Sequence, residues 1–495
     1  MQPPLLIYNS LTRQKEVFKP LSPPFVGLYL CGPTVYGKAH LGHARSAIAF
    51  DVVVRYLRQL DYKVRFVRNI TDVGHLERDL DEGEDKVAKQ ARLEEVSPME
   101  VAQRYTNSYR KNMEMLNVLP PSIEPCASGH IPEQIEMITS IIQKGLAYLV
   151  DGSVYFDVVK YNQVGHTYGL LSGRILSEMR VGTRALSGQE VKKNAADFAL
   201  WKKATPSHIM RWPSPWGEGF PGWHIECTAI GSKYLGAQFD IHAGGLDLLF
   251  PHHECEIAQA QAACATNLAT YWMHNNLVTI DGAKMGKSLG NFITLDEFFE
   301  GNHPSLDQPY SPMALRFCML QTHYRSTLSF SLDAVKAAHQ GYRKLMNGWY
   351  ILCKLQQDGA VEEKGGIDDS IYAECAACYS AMNDDFNTAK VLASLYHLLK
   401  KINGLYYGTL AYAAISKSAL HTLTTTYTTF LIDILGFKED HQATFADGVE
   451  VILTLYKKAK AENGYDQVES IRSALRKMGV AIKDHHSGAS WEYLS

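Results

Sequence analysis

The sequence predicts an α/β protein: a doubly wound parallel sheet with an inserted block, followed by an α-helical bundle and a small C-terminal domain. A short apolar run at residues 27–31 meets a turn, residues 64–72 alternate and end in polar residues, and residues 237–242 are followed by a glycine pair. These patterns predict buried parallel strands. Residues 46–60, after the first run, have helical apolar spacing. Beyond residue 330 the apolar residues recur at helical spacing again, which predicts a separate helical region.

Length and composition describe an ordinary globular protein. The 495 residues exceed what a single core organises, so the chain should divide into several units. With 46% hydrophobic and 20% charged residues, and no apolar run of about twenty residues, we expect a soluble chain without a membrane span. The Met-Gln-Pro-Pro start does not resemble a secretory signal, and nine scattered cysteines do not resemble a disulfide framework. A reducing cytoplasm is the expected location.

The first predicted strand leads into a turn and a helix start that suit phosphate binding. The run ends in Cys-Gly-Pro at residues 31–33, which predicts a turn. His40 and His43 are three residues apart at the predicted helix start, so their rings project to one side, and Gly42 leaves room for a flat ring. A strand, a turn and a helix N-terminus are typical of phosphate sites in doubly wound folds. Two surface histidines are an equally good interpretation of this stretch alone.

The middle of the chain predicts little chemistry. Residues 73–96 are rich in acidic and basic side chains, which indicates a solvated, partly mobile face. Residues 131–149 look helical, and residues 152–159 look like a strand. We therefore interpret residues 123–205 as an insertion between two halves of one sheet domain.

The densest group of candidate ligands lies between residues 222 and 256. It comprises Cys227, His252, His253, Glu254, Cys255 and Glu256. This mixture of thiol, imidazole and carboxylate suits zinc. A helix expected over residues 251–264 would place His252 and Glu256, four apart, on one face and would point the three residues between them elsewhere. Exposed polar residues at a helix start remain an equally good alternative.

Two further features suit nucleotide binding. Gly244 and Gly245 are expected just past the strand of residues 237–242, at the sheet edge where open α/β folds bind ligands. A glycine-rich loop further on carries Lys284 and Lys287. Its mobile positive charge and accessible backbone N–H groups would stabilise phosphate during transfer. The loop lacks P-loop spacing.

Together these motifs resemble those of class I aminoacyl-tRNA synthetases, and specifically the bacterial-type cysteinyl-tRNA synthetases. His-Leu-Gly-His at 40–43 is similar to the HIGH signature, and Lys-Met-Gly-Lys-Ser at 284–288 is similar to KMSKS. Segments typical of the cysteine enzymes are residues 29–36, 69–72, 222–227 and 250–256. The resemblance extends over nearly the whole chain. Leu41 and Gly286 depart from the usual isoleucine and serine, but the histidines and lysines are kept.

The resemblance implies activation of L-cysteine by ATP to cysteinyl-adenylate and pyrophosphate. Transfer to tRNA-Cys then gives Cys-tRNA(Cys) and AMP. It also implies Mg²⁺ with ATP and one zinc ion per chain, whose ligands would be Cys31, Cys227, His252 and Glu256. The implied catalytic residues are His40, His43, Lys284 and Lys287.

The resemblance also assigns substrate contacts. For ATP they are His40, Gly42, His43, Gly244, Gly245, Asp247 and Lys287. For cysteine they are Gly32, Thr71 and Trp223. Because zinc prefers a thiolate to an alcohol, the implied metal would distinguish cysteine from serine without an editing site.

Domain boundaries follow from the same assignment. They are 1–122 and 206–270 for the two halves of a Rossmann-type catalytic domain, 123–205 for the connective insertion, 271–330 for a stem-contact region, 331–446 for the helical bundle and 447–495 for a small anticodon-binding domain. In the last of these, Arg472, Arg476 and an exposed Trp491 are predicted to contact the anticodon loop, since basic and aromatic side chains suit phosphates and unpaired bases.

Two other functions would use part of these motifs. An ATP-dependent ligase that joins cysteine to an amino-sugar inositol shares the zinc and nucleotide motifs, but it lacks the anticodon block. A non-catalytic, zinc-stabilised RNA-binding protein would need neither the paired histidines nor the lysine loop. The net charge of −3 neither indicates nor excludes a nucleic-acid partner. We expect a monomer.

Overall fold

A computed structural model describes residues 3–77, 83–176, 192–206, 208–286, 289–355, 360–439, 443–485 and 488–494. Its strands are β1 (Leu6–Asn9), β2 (Gln14–Val17), β3 (Phe25–Leu30), β4 (Lys63–Arg68), β5 (Ala147–Val150), β6 (Ser153–Phe156), β7 (Phe198–Lys203), β8 (Gly219–Pro221), β9 (Phe239–Gly245), β10 (Ala269–Asn275), β11 (Val278–Ile280), β12 (Ala283–Lys284), β13 (Leu328–Phe330), β14 (Val480–His485) and β15 (Gly488–Tyr493).

The helices of the first 330 residues are Leu41–Gln59, Lys86–Glu94, Pro98–Met115, Ile131–Gln143, Val158–Gln163, Trp223–Leu235, Glu254–Cys264, Leu295–Glu300 and Pro312–Leu320. Those of the remainder are Leu332–Lys354, Asp368–Asn383, Thr388–Tyr406, Lys417–Thr428, Ala443–Ala461 and Tyr465–Lys477. In the described part of the chain, no helix combines the length and apolar character needed to cross a bilayer.

A parallel sheet in the order β10-β9-β3-β4 positions the site. Alternate residues of β3 point to opposite faces. Leu28 and Leu30 pack towards the helix Leu41–Gln59, while Tyr29 packs towards the helix Trp223–Leu235. Because helices cover both faces, most residues of β3, β9 and β10 are buried, whichever face they point to. The doubly wound α/β class is thereby confirmed.

Several predicted elements have other boundaries than expected; β4, for example, ends at Arg68 and not at residue 72. Gly244 and Gly245 are not in the turn after β9 but are its last residues, because they pair with His274 and Asn275 of β10. The helix expected over residues 131–149 ends at Gln143, since Gly145 takes a left-handed φ of +69° and the chain then enters β5. The next strand, β6, is shorter than predicted and leads into a short helix.

Strands β5, β6 and β7 of the inserted block form an antiparallel sheet with β8, in the order β5-β6-β7-β8, so this sheet extends past the predicted end of the insertion at residue 205. Its core includes Trp201 and Phe156 from this sheet and Ile225 from the helix Trp223–Leu235. The insertion therefore packs against the helix that carries Trp223 and Cys227.

The helical region shares a continuous core with the parallel sheet. One cluster of buried apolar side chains includes Leu28 of β3, Phe50 of the helix Leu41–Gln59 and Leu395 of the bundle. The buried Arg316 guanidinium also donates to the carbonyls of Leu116 (2.9 Å) and Leu435 (2.6 Å), which joins the two regions. The last domain, with the β14-β15 hairpin, contacts the bundle where Nη1 of Arg343 donates to the carbonyl of Leu494 at 2.9 Å.

Candidate active site

A cleft of about 970 Å³ opens at the carboxyl edge of the parallel sheet. Of the residues singled out in the sequence, those lining it are Cys31, Gly32, His40, Gly42, His43, Trp223, Gly245, Asp247 and Lys284. Others are buried and do not line it: Thr71, Cys227, Gly244, His252 and Glu256. Cys31 connects the cleft with the buried residues. It lines the cleft, and its Sγ lies 3.9 Å from Sγ of the buried Cys227.

The side chains of His40 and His43 cap the N-terminus of the helix Leu41–Gln59 by accepting backbone N–H groups. Nδ1 of His40 accepts the backbone N–H of Gly42 at 3.1 Å, and Nδ1 of His43 accepts the backbone N–H of His40 at 3.2 Å. A backbone N–H can only donate, so both Nδ1 atoms are unprotonated, and the proton of each neutral ring is on Nε2. The rings lie side by side, with centroids 3.9 Å apart.

Burial keeps His43 in this neutral form. It lowers the pKa of the His43 imidazole from its usual value near 6.5 to about 4. At neutral pH the ring therefore offers an Nε2–H donor to an anion and carries no net charge. The residue between the two histidines, Gly42, has to lack a side chain, because a Cβ at that position would lie 2.9 Å from Cε1 of His40.

Gly32 lets the ends of two strands approach closely. A Cβ on Gly32 would lie 1.6 Å from the carbonyl oxygen of Asn69, and the Gly32 N–H donates to Oδ1 of Asn69 at 2.8 Å. Next along the chain, the hydroxyl of Thr71 donates to the buried carboxyl of Glu226. Burial raises the pKa of the Glu226 carboxyl well above its usual range. Neither Asn69 nor Glu226 was singled out in the sequence.

The four residues implied as zinc ligands converge in the structure. The ligand atoms of Cys31, Cys227, His252 and Glu256 all lie within 4.8 Å of one another. Sγ of Cys31 is 3.8 Å from Oε1 of Glu256, which is 3.3 Å from Nε2 of His252. Tetrahedral zinc bonds of 2.0–2.3 Å place ligand atoms about 3.3–3.8 Å apart. The separations of 3.3, 3.8 and 3.9 Å are close to these values, so the four side chains fit zinc.

A second group of four overlaps the first: Cys31, His242, His253 and Glu256. The prediction that His253 points away from the ligand pair is wrong, since its Nε2 lies 3.3 Å from Sγ of Cys31. Residues Leu249–His253 form an irregular π-helical turn with Phe250 extended (φ −143°, ψ 131°), and the regular helix begins only at Glu254. Spacing along an ideal helix therefore could not give the direction of His253.

The hydrogen bond of His242 favours the first group, because Nε2 of His242 is already engaged by Glu256. Oε2 of Glu256 is 2.8 Å from Nε2 of His242, so His242 holds the carboxylate oxygen that faces away from Cys31. Nδ1 of His252 lies 2.9 Å from Nδ1 of His224, which leaves its Nε2 towards Glu256. Such outer partners are typical of metal-ligating histidine and carboxylate.

A third buried histidine, His274, supports His253. Nδ1 of His253 is 2.8 Å from Nε2 of His274, whose Nδ1 is 2.8 Å from Oγ of Ser10. His224, His242 and His274 were not assigned a role from the sequence. The available sequence signal for His242 and His274 was their position in the buried strands β9 and β10. An apolar run does not indicate which residue of a strand contacts which helix.

Electrostatics show what the cluster is suited to hold. Burial raises the pKa of the Cys31 thiol to about 12 and that of Cys227 well above its usual value, and it also raises the pKa of the Glu256 carboxyl. Burial lowers the pKa of the His252 imidazole. Three potential anions in such a place need a cation to ionise, and a divalent metal stabilises thiolate and carboxylate directly. The donor set thus fits zinc by chemistry as well as geometry.

Glu254 and Cys255 face away from the cluster but are not on the surface. The Glu254 carboxylate accepts the backbone N–H groups of Leu171 (3.3 Å) and Ser172 (2.8 Å). Sγ of Cys255 is fully buried, 3.3 Å from the hydroxyl of Tyr168. Both residues fasten the helix Glu254–Cys264 to the inserted block.

The lysine loop is described only in part. Lys284 is exposed at the end of β12 and lines the cleft. Asn291 closes the loop: its Oδ1 accepts the N–H of Gly286 at 2.8 Å and its Nδ2 donates to the carbonyl of Lys284 at 3.1 Å. Lys287 and Ser288 lie outside the described residues.

The three candidate tRNA contacts are not equally accessible. Arg472 is held within the domain, where it donates to the hydroxyl of Tyr456 (2.9 and 2.7 Å) and to Asp484 at 2.5 Å. Trp491 is half-buried in the C-terminal core, with its ring centroid 5.2 Å from that of Tyr493, so the expectation of an exposed aromatic is wrong. Arg476 is exposed. Their contact with tRNA stays a prediction.

Comparison with known proteins defines the family. The profile described as the tRNA synthetases class I (C) catalytic domain matches residues 17–340, and the DALR domain profile matches residues 377–438. A cysteine–tRNA ligase of Cytophaga hutchinsonii is 57% identical over 490 residues, covering 99% of each chain. The chain belongs to the cysteine–tRNA ligases. A second cysteine–tRNA ligase, from Porphyromonas gingivalis, is 54% identical over 99% of this chain and all of the relative.

Solved structures show the same fold at low identity. A Mycobacterium tuberculosis methionyl-tRNA synthetase in complex with methionyl-adenylate aligns with a TM-score of 0.53 and 15% identity, covering 83% of this chain and 90% of the other. A putative arginyl-tRNA synthetase of Campylobacter jejuni aligns with a TM-score of 0.56 and 14% identity, covering 84% and 93%. Full-length agreement with cysteine–tRNA ligases favours that activity over the amino-sugar-inositol ligase and the non-catalytic RNA-binding protein.

Proposed function

We propose that this cysteine–tRNA ligase activates L-cysteine with ATP and then esterifies tRNA-Cys, both in the cleft at the sheet edge. The observation that carries the assignment of residues is the position of Cys31, which lines the cleft and also belongs to the buried Cys-Cys-His-Glu cluster. An amino acid in the cleft can therefore reach the cluster through its side chain, while its carboxylate stays near the paired histidines.

Selection of cysteine is assigned to the cluster of Cys31, Cys227, His252 and Glu256. A zinc ion held by these four side chains would have to accept the substrate as a fifth ligand, a bond that a thiolate can form and that a hydroxyl or methyl group cannot match. Gly32, Thr71 and Trp223 are assigned to hold the amino acid next to the zinc ion. Of these, Gly32 and Trp223 line the cleft.

Activation is an in-line attack of the cysteine carboxylate on the α-phosphorus of ATP, with pyrophosphate leaving, so no protein nucleophile takes part. His40 and His43 donate from Nε2 to phosphate oxygens as negative charge builds up on them. Their Nδ1 atoms are already occupied by backbone N–H groups, so neither ring needs to reorient. Lys284 and Lys287 stabilise the departing pyrophosphate, and Mg²⁺ accompanies the nucleotide.

Gly244, Gly245 and Asp247 are assigned to the adenosine. At the end of β9 a Cβ on Gly245 would lie 2.3 Å from Oδ1 of Asp247, so the exposed carboxylate folds back over the glycine. A carboxylate there can accept hydrogen bonds from ribose hydroxyls. Binding of tRNA-Cys is assigned in part to the C-terminal domain through Arg472, Arg476 and Trp491. A cytoplasmic monomer is proposed.

Two assays test the proposal. The purified chain should catalyse ATP–pyrophosphate exchange that depends on cysteine and not on serine or alanine, and it should charge tRNA-Cys. Exchange is measured with and without tRNA-Cys, and an amino-sugar inositol is offered as an alternative acceptor. Exchange without transfer to tRNA, combined with transfer to the amino sugar, would refute the proposal in favour of the other ligase.

A further inference from the structure

The charged segment after β4 contributes a wall of the cleft. No chemistry was expected of residues 73–96 from their composition, yet His75 and Lys86 line the cleft together with Trp223. His75 is only 7% exposed, which marks it as a built part of that wall and not as a solvated side chain.

His75 stacks directly on Trp223. The ring centroids are 3.7 Å apart and the planes differ by 9°, a close parallel arrangement. The indole also meets the proposed metal ligand His252, at a centroid distance of 4.4 Å and an angle of 39°. Trp223 is therefore held between the proposed metal cluster and a histidine that has no part in it.

Both edges of the His75 ring are held. Nε2 lies 2.7 Å from Nζ of Lys86, and Nδ1 lies 2.6 Å from Oγ1 of Thr34. An ammonium group only donates, so Nε2 accepts, and Nδ1 therefore carries the proton and donates to Thr34. Rotation of the ring would break both hydrogen bonds. The ring presents a fixed flat face to the indole.

The geometry points to His75 as a positioning residue for amino-acid binding, which Thr34 and Lys86 hold in place. It keeps the Trp223 indole against His252, so that the space beside Cys31 admits the side chain of cysteine and excludes one that is a methylene longer. This inference rests on the proposed function, because it takes cysteine to be the amino acid bound in the cleft.

Binding measurements on the zinc-loaded full-length chain test this role without relying on turnover. L-cysteine and a non-hydrolysable ATP analogue are titrated separately by calorimetry. His75→Ala removes the stacked ring and should raise the Kd for cysteine about tenfold, the upper range for an aromatic pair, with the Kd for the ATP analogue unchanged. His75→Phe keeps a flat ring and should restore most of the affinity for cysteine.

A matched pair of lysine variants separates the clamp from general effects on the helix Lys86–Glu94. Lys86→Met should weaken cysteine binding about threefold, since His75 loses the hydrogen bond from Nζ of Lys86. Lys89→Met should have no effect, because Lys89 pairs with Glu77. In pyrophosphate exchange, His75→Ala should also lower the preference for cysteine over homocysteine, through KM for the amino acid and not through kcat.

The outcomes are distinct. If His75→Ala binds cysteine as tightly as the parent, if His75→Phe is as weak as His75→Ala, or if both ligands weaken in parallel, the positioning role is wrong. Selective weakening that Phe reverses supports it. A parent chain that binds no cysteine at all would refute the proposed function itself.

Discussion

At the scale of single residues, two buried cysteines near Cys31 differ in whether they can bind a metal ion together with it. Cys227 and Cys255 are both buried thiols of neighbouring helices, yet only Cys227 lies within bonding range of a shared ion with Cys31. Cys255 instead contacts Tyr168 on the far side of its helix. Cys227 and Cys255 lie on neighbouring helices, and only the Cys227 thiol points to the cluster. Substitution of each is therefore a matched test of the metal ligands.

Cys227→Ser should therefore lose zinc and cysteine activation together. A hydroxyl is a poor zinc ligand, so we expect bound zinc to fall well below one per chain and cysteine-dependent exchange to drop by about 100-fold or more. Zinc is measured by atomic absorption. Cys255→Ser, the control, should keep both. Undiminished zinc in Cys227→Ser would remove Cys227 from the ligand set.

The His43 imidazole should stay neutral well below the usual pH. Because its folded-state pKa is lowered to about 4, its neutral form is fully populated above pH 6.5, and the stability that goes with it is lost as the pH falls from 6.5 towards 4. Histidine NMR signals that disappear in His43→Asn identify the ring. These signals should not move between pH 8 and 5.5. A midpoint near 6.5 would show that the ring is not desolvated as described.

The ligand set shows how far sequence reasoning reaches. Helical spacing alone selected His252 and Glu256, and the structure brings their side chains to 3.3 Å. Cys31 is nearly two hundred positions before Cys227, so no spacing rule links them, and only the family resemblance did. His224, His242 and His274 carry no local signal of their role, since their partners come from other strands and helices.

At the scale of elements, the presence of the parallel strands was easier to predict than the ends of strands and helices. The apolar run of β3 was expected within two residues of its true bounds, whereas β4 ends at Arg68, four residues before the predicted end at residue 72. The turn at Leu249–His253 was not expected, because an extended Phe250 within a helical stretch has no periodic signature. The direction of His253 depends on that turn, and the error there follows from it.

The segments that follow β3 and β4 approach each other so closely at residue 32 that only glycine fits there. Gly32→Ala would set a methyl group 1.6 Å from the Asn69 carbonyl, so the strand ends must separate, at a cost of about 1–3 kcal/mol for overpacking. We expect a lower thermal midpoint and weaker cysteine binding by calorimetry. Gly37→Ala has open space around the new Cβ and should change neither. Equal behaviour of the two variants would contradict the close approach.

At the scale of the whole molecule, the helical bundle and the C-terminal domain are attached in different ways. The bundle shares one continuous core with the catalytic sheet. The apolar clusters of the last domain contain only residues from 449 to 493. Its described contacts with the bundle include the Arg343–Leu494 hydrogen bond and a ring contact between Tyr350 and Trp491 at 6.5 Å. Because the last domain has a core of its own, and the bundle contacts it through side chains such as Arg343, Tyr350 and Tyr406, its removal should leave the cleft intact.

A chain ending at residue 446 should therefore keep cysteine-dependent pyrophosphate exchange and lose affinity for tRNA-Cys. We expect exchange within about twofold of the full chain, because the cleft residues lie before position 305. Loss of Arg472, Arg476 and Trp491 should weaken tRNA-Cys binding by tenfold or more if each contact is worth about 1–3 kcal/mol. Filter binding measures affinity, and Arg476→Ala, the exposed member, should reproduce part of the loss. Undiminished binding by the shortened chain would place anticodon recognition elsewhere.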